Sequence, residues 1–319
     1  MNKMVRQLLP FGTLTLIICI LSALKPDSFL TTENILNVLS RSSVNGIIAM
    51  GMTAVIISAG IDLSVGSMMA LCGMVGGFVM LKLGGTHPQV APMVAGTIAG
   101  IATGIGCGLV NGALITKLKL PPFIVTLGTM SAFRGISYLM NNGMMYDVST
   151  YTYLGSGDVL GIPVSVLIFA VIVAAAGFIL RYTRLGRYTY AIGSNREAAF
   201  HAGVNVDFNL TAVYTLTGFV VGIAAMIATS RTVTAQPTAG ISLELDIIAS
   251  VVIGGASLAG GRGTVSGTII GTLLISFLRN GCTLLGISTN VQLVVIGAII
   301  IGAVALDQMA RSRAEAGQS

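Results

Sequence analysis

The sequence is poor in charge. Only 9% of its 319 residues are Asp, Glu, Lys or Arg, against roughly 25% in an ordinary soluble domain, so most of the chain cannot face water. Histidine occurs twice, at His87 and His201, and neither lies in an apolar run. That removes the base a membrane-embedded serine would need, so Gly255-Ala256-Ser257-Leu258 is no protease nucleophile. No Gly-x-x-x-x-Gly-Lys-[Ser/Thr] run is present, which excludes ATP hydrolysis on a phosphate loop of its own. Tryptophan is absent, and Cys19, Cys72, Cys107 and Cys282 share no metal-ligand spacing. They read as buried free thiols. The methionines are scattered through apolar stretches and read as packing rather than as metal ligands.

What is present is hydrophobicity: 54% apolar residues, mean hydropathy +0.90 and 41 glycines. The apolar runs are long and continuous rather than alternating, which selects an all-α integral membrane protein over a β-barrel, and glycine suits close helix contact in lipid. About ten transmembrane helices are expected, over 8–24, 44–59, 63–81, 91–116, 123–140, 161–180, 210–229, 246–260, 264–279 and 288–306. The first has no clear cleavage site before Lys25-Pro26 and reads as an uncleaved span. The net charge of +6 lies mostly beside these spans, so it speaks for topology and not for nucleic acid. Segment 141–160 holds Asp147 and Asp158 without Lys or Arg, while 181–209 holds Arg181, Arg184, Arg187 and Arg196. The positive-inside rule then places 181–209, both termini, and the tails 1–7 and 307–319 in the cytoplasm. Lys25, Arg41, Lys82, Arg231 and Arg279 run against this count.

Two crossings, 44–59 and 246–260, look too short for an apolar core of about 30 Å, and each ends in a glycine-rich break. The first break, Gly60-Ile61-Asp62-Leu63-Ser64-Val65-Gly66-Ser67, carries the only acid between Glu33 and Asp147. The second runs from Gly254 to Gly267. Paired breaks of this kind point to a transporter core, although two independent hairpins would look the same. Asp62 reads either as a cap for the helix that follows or as part of a polar lining. Arg134, inside the fifth span, either snorkels outward, the default at that position, or pairs within the bundle. In 191–204, Arg196–Ala199 form a short helix ended by Gly203; it is either a plain connection or a docking element for another protein.

Several motifs taken in order resemble one family. They are Asn45–Thr53, Gly60–Ser67, Phe123–Gly135, Thr183–Tyr188, Ala191–Val204, Ala235–Gly240 and Glu244–Gly263. The chain resembles the permease subunits of bacterial ATP-binding cassette sugar importers of the ribose, xylose, arabinose and galactoside type, from about residue 28 to 306. The resemblance implies the type II importer permease fold in one domain over 1–319. It implies that Ser194, Asn195, Arg196, Glu197, Ala198, Ala199 and Gly203 match the loop that docks on the ATPase subunit. It also implies three partners besides the bilayer: an ATPase with two nucleotide-binding domains, fused or separate; a soluble sugar-binding protein outside; and a second permease subunit. The expected function is passage of a monosaccharide, a pentose such as ribose, across the cytoplasmic (inner) membrane without a cofactor. Asn45, Asp62, Ser64 and Ser67 are the expected path residues, since hydroxyl and amide groups bind a neutral sugar weakly enough to release it. The alternatives are a same-family permease for a branched-chain amino acid, a nucleoside or a sugar-like autoinducer, or an ion-coupled transporter.

Overall fold

The computed structural model describes residues 3–85 and 89–316, so His87 and the extreme ends of both tails lie outside the described residues. Helix α1 (Lys3–Leu24) leads through the single turn α2 (Pro26–Phe29) into α3 (Thr32–Ile57), α4 (Val65–Gly84), α5 (Val90–Lys117) and α6 (Pro122–Leu139). A loop with strand β1 (Tyr146–Asp147), the turn α7 (Tyr153–Ser156) and strands β2 (Asp158–Val159) and β3 (Ile162–Pro163) precedes α8 (Val164–Tyr182). Then come α9 (Arg184–Ser194), α10 (Arg196–His201), α11 (Val206–Thr232), β4 (Thr234–Ala235), α12 (Leu243–Ile253), α13 (Val265–Leu284) and α14 (Thr289–Ala316). Each of the ten expected spans falls on a helix, and six helices are long and apolar enough to cross a membrane. Strand β1 pairs with β4, and β2 with β3, both antiparallel, so the only sheet among the described residues is two short ribbons.

Helices α3, α4, α5 and α11 form the core, around buried Ile48, Met52, Met68, Val221 and Tyr214. The tightest crossing is α5 on α11. Gly100, Gly104, Gly108 and Gly112 recur every fourth residue on α5, which puts them on one face. A Cβ at Gly104 would strike the Gly218 carbonyl of α11, and one at Gly108 the Tyr214 carbonyl. In lipid, where water does not drive helices together, such close backbone approach supplies the packing energy. Helix α1 is peripheral: Leu21 is buried and Leu14 and Ile17 pack toward α13, but Cys19 is exposed. The expectation of four buried thiols therefore holds for three.

The first of the two short crossings is not short. Helix α3 has 26 residues, about 39 Å, because a polar segment extends it toward its N-terminus. Thr31 caps it by accepting from the Asn34 amide at 3.3 Å. Two polar side chains of that segment pair with other helices, Asn34 with Asn280 of α13 and Ser40 with Ser165 of α8, while Ser42 and Ser43 donate to carbonyls of their own helix. Hydropathy alone started this helix too late because paired polar groups score as though they were solvated.

The second short crossing is shorter than expected. Helix α12 has 11 residues, about 16 Å, or half a membrane core. It starts inside the bundle. Residues 236–242 turn back from β4 until Gly240 (φ +67°) lies on the Gly66 backbone at the start of α4. Arg134 secures this descent: its Nη1 donates to the Pro237 carbonyl at 2.6 Å and the Ala239 carbonyl at 2.7 Å. Arg134 therefore pairs within the bundle and does not snorkel. The non-helical loop offers carbonyls that no helix satisfies, and a guanidinium is the donor that reaches two of them.

Candidate functional site

Two features meet at the end of the bundle that carries α10: an exposed surface and a junction beneath it. The surface begins with α9, whose Leu185, Gly186, Thr189, Ile192 and Gly193 turn inward while Arg184, Arg187 and Tyr188 turn out. Asn195 ends α9 and caps α10, its Oδ1 accepting from the Ala198 amide at 2.9 Å. On α10, Ala199 is buried against Ile192, Val204, Val206 and Leu210. That single inward alanine anchors the turn, and Ser194, Arg196, Glu197 and Ala198 are left exposed. Gly203 closes the turn with φ +82° and open space around it. Its glycine is required by backbone conformation and not by crowding. The sequence reading missed Phe200, which stands 65% exposed beside Glu197. An exposed aromatic next to charged groups is the usual composition of an interface anchor, and its position in the docking motif was the available signal.

Beneath this surface, the end of α9 is wedged between the two glycine breaks. The Gly261 amide of the second break donates to the Ile57 carbonyl at the end of α3, 2.8 Å away. Gly193 sits against both of these groups, so closely that a Cβ there would overlap the Ile57 carbonyl. The Tyr190 hydroxyl donates to the Gly263 carbonyl at 2.8 Å. Deeper in, the Thr53 and Thr268 hydroxyls join α3 to α13 at 2.7 Å. The two breaks, far apart in sequence, thus share one junction with the segment that leads into α10. Gly193, two residues before the Asn195 cap of α10, is the point at which this segment touches both breaks.

Within the first break, Asp62, Ser64 and Ser67 come together and are buried. One Asp62 oxygen accepts from the Ser64 amide at 2.9 Å and the Ser64 hydroxyl at 2.6 Å. Asn111 of α5 donates to the Ser64 hydroxyl at 2.8 Å, and Ser67 donates to the Ser64 carbonyl at 2.9 Å. Thr126 of α6 reaches the Ile61 carbonyl at 3.2 Å. Asp62 thus holds the turn that leads into α4, but it accepts from the amide of Ser64, which precedes the helix, and no side chain caps the first turn of α4 itself. Asn45 stands apart on α3, half buried, and its side chain makes no hydrogen bond to the described residues. Asn111 was not foreseen, since an asparagine inside a helical apolar run gives no spacing signal. Asp62→Ala is expected to destabilise the protein by about 2–3 kcal/mol, because it leaves the buried Ser64 amide and hydroxyl without their acceptor. Asp62→Asn keeps one acceptor and should cost about half as much. Thermal midpoints in detergent check the order, and equal losses would contradict the hold of Asp62 on the Ser64 turn.

A sequence model of one permease family, described as branched-chain amino acid transport system / permease component, matches residues 34–304. The chain is similar to the ribose import permease protein RbsC of Bacillus subtilis, at 45% identity over 312 residues (96% of this chain, 94% of the relative). It is similar to the protein of that name in Haemophilus influenzae, at 42% over 304 residues (93% and 91%). It is also similar to the D-allose transport system permease protein AlsC of Escherichia coli, at 40% over 304 residues (94% and 90%). No solved structure matches.

Proposed function

The chain belongs to the permease family described as branched-chain amino acid transport system / permease component, and on that premise we propose that it passes ribose across the membrane as the permease of an ATP-driven importer. It is a transport subunit and a multi-pass protein of the bacterial inner membrane. Near-full-length likeness to ribose import permeases carries the choice of a monosaccharide over an amino acid, a nucleoside or an autoinducer. An importer permease works with an ATPase and a solute-binding protein. ATP is hydrolysed on that ATPase, whose two nucleotide-binding domains lie in one chain or two. Two permease subunits form the channel, and the solute-binding protein delivers sugar from outside.

The 181–209 segment and both termini, with the tails 1–7 and 307–319, face the cytoplasm, and residues 1–319 act as one permease domain. The path runs past Asn45, whose unpaired amide suits a sugar hydroxyl, and past the start of α4. There Asp62, Ser64 and Ser67 become accessible when α4 shifts during the cycle. The test is uptake by proteoliposomes holding permease, ATPase and binding protein. Ribose should accumulate only with ATP inside the compartment that holds the ATPase, and a protonophore should leave uptake unchanged. Uptake driven by a membrane potential without ATP would instead mark an ion-coupled transporter. Allose in the same assay tests the hexose reading that the allose permease relative favours.

Docking involves Ser194, Asn195, Arg196, Glu197, Ala198, Ala199 and Gly203, with Phe200 added. Glu197→Lys is expected to cut sugar-stimulated ATPase activity about tenfold, the equivalent of about 1.4 kcal/mol of contact. Gly203→Val, which forces a β-branched residue into a left-handed conformation at about 1–3 kcal/mol, should do the same by distorting the turn. Co-purification of the ATPase at wild-type yield together with normal uptake would remove the docking assignment.

A further inference from the structure

Outside the junction, a groove opens on the flank of the bundle between α3, α8, α9 and α11. Met50, Ala54, Ala176, Ile179, Leu185 and Val220 are among its walls. Its two threonines are already committed: Thr217 donates to the Val213 carbonyl at 2.9 Å, and Thr189 to the Leu185 carbonyl at 2.8 Å while accepting from Asn209. A groove with no free polar group does not bind a sugar; it accepts hydrocarbon.

The rim of the groove at the α10 end is cationic. Arg181, Arg184 and Arg187 lie within three residues of the lining residues Leu180 and Leu185, and all three are exposed. Among the described residues the one ion pair joins Arg279 to Asp246, so these guanidinium groups have no carboxylate partner. No acid occurs between Asp158 and Glu197. Arg181 lies over the Tyr182 ring at 5.4 Å, and Arg187 donates to the Tyr182 carbonyl at 3.2 Å. Exposed Tyr182 and Tyr188 adjoin Arg181 and Arg187 in the chain, and aromatic side chains beside arginines mark the headgroup layer of a bilayer. The amphipathic α9 carries its arginines on the outer face, as helices lying in that layer do.

We propose that this groove binds an anionic phospholipid of the cytoplasmic leaflet, with one acyl chain between α3, α8 and α11 and the phosphate on Arg181 and Arg184. Apolar walls below a ring of unpaired arginines match both halves of such a molecule. The site touches α9 before the wedge at Gly193, so the lipid braces the segment that transmits movement from α10. The leaflet, though not the site, rests on the orientation proposed above.

The test is native mass spectrometry and lipid analysis of the permease purified in mild detergent from membranes containing phosphatidylglycerol and phosphatidylethanolamine. Wild type should retain phosphatidylglycerol in preference to phosphatidylethanolamine. Arg181→Gln with Arg184→Gln should reduce that retention about tenfold, the loss expected for about 1.4 kcal/mol. Ala175→Leu with Ala176→Leu, which fills the groove and keeps the arginines, should reduce it similarly. Ala175 is exposed and Ala176 half-exposed, so added bulk there meets lipid, and unchanged elution volume and thermal midpoint establish that both variants are folded. If the charge variant loses lipid and the groove variant does not, the arginines only attract a diffuse lipid layer and the site is refuted. Equal retention by all three proteins refutes it as well. So does efficient disulfide formation between two permease copies through Ala175→Cys, which would make the groove a subunit contact. Labelling of Arg196→Cys from outside the cell by an impermeant maleimide would overturn the cytoplasmic leaflet, while retention would still report on the site itself.

Discussion

Gly193→Val is expected to abolish ATP-driven uptake, by at least about tenfold, and to do so even where the protein still reaches the membrane. The glycine lies at the end of α9 with the Ile57 carbonyl on one side and the Gly261 amide on the other, and there is no room for a Cβ. A valine must push apart the 2.8 Å hydrogen bond between those groups. Overpacking of this kind usually costs about 1–3 kcal/mol, and here the obstacle is backbone on both sides, which cannot rotate away. Gly193→Ala should show the same defect in weaker form. The comparison with Gly203 separates the two reasons for glycine at this end of the molecule. Gly203 has open space and an unusual φ, while Gly193 has an ordinary helical backbone and no space. Asparagine, which tolerates left-handed φ, should therefore be accepted at 203 and rejected at 193. Uptake and ATPase stimulation, measured beside permease abundance in the membrane, decide this. Full coupling in Gly193→Val would mean that the junction does not carry movement from α10.

Asp246→Asn is expected to lower stability by about 3 kcal/mol, the lower end of the range for breaking a buried pair. Both Asp246 oxygens accept from Arg279 Nη2 at 2.8 Å, joining the half-helix α12 to α13. The carboxylate side chain is 9% exposed and the guanidinium 27%. Arg279 Nε is buried without a partner, so removing the carboxylate leaves a cation in the bundle with nothing to offset its desolvation. Replacing both residues, as in Asp246→Leu with Arg279→Met, should recover most of the loss, because an apolar pair of similar size avoids the desolvation cost altogether. Thermal midpoints of the two single variants and the double variant in one detergent form the cycle. If the double variant is less stable than either single one, the pair is not what fixes α12 to α13.

The Arg279 pair also explains why the charge count was imperfect. Positive-inside reasoning treats every arginine near a span end as a topology signal. Arg279 is held by Asp246, and Arg231 is half buried and donates to the Ser40 carbonyl at 3.2 Å. Both charges serve packing, and no local window can distinguish a paired arginine from a solvated one. The N-terminal half of α3 was missed for a similar reason, since Ser40 is satisfied by α8 and Asn34 by α13. The 195–203 turn was readable because it is local: a cap at Asn195, a short helix and a left-handed glycine within nine residues.

The sequence by itself determined that the chain lies in a membrane, that ten apolar stretches fall on helices, and that Gly60–Ser67 and Gly254–Gly267 interrupt them. Those properties follow from transfer free energies and backbone preferences, which add up residue by residue along the chain. Only the tertiary structure decided that α12 begins halfway through the bundle, that Arg134 holds the loop leading into it, and that both breaks meet at Gly193. These depend on which donor finds which acceptor across about 70 to 200 residues of sequence. Where water is absent that choice is set by the geometry of packed backbones, which no local pattern of residues records.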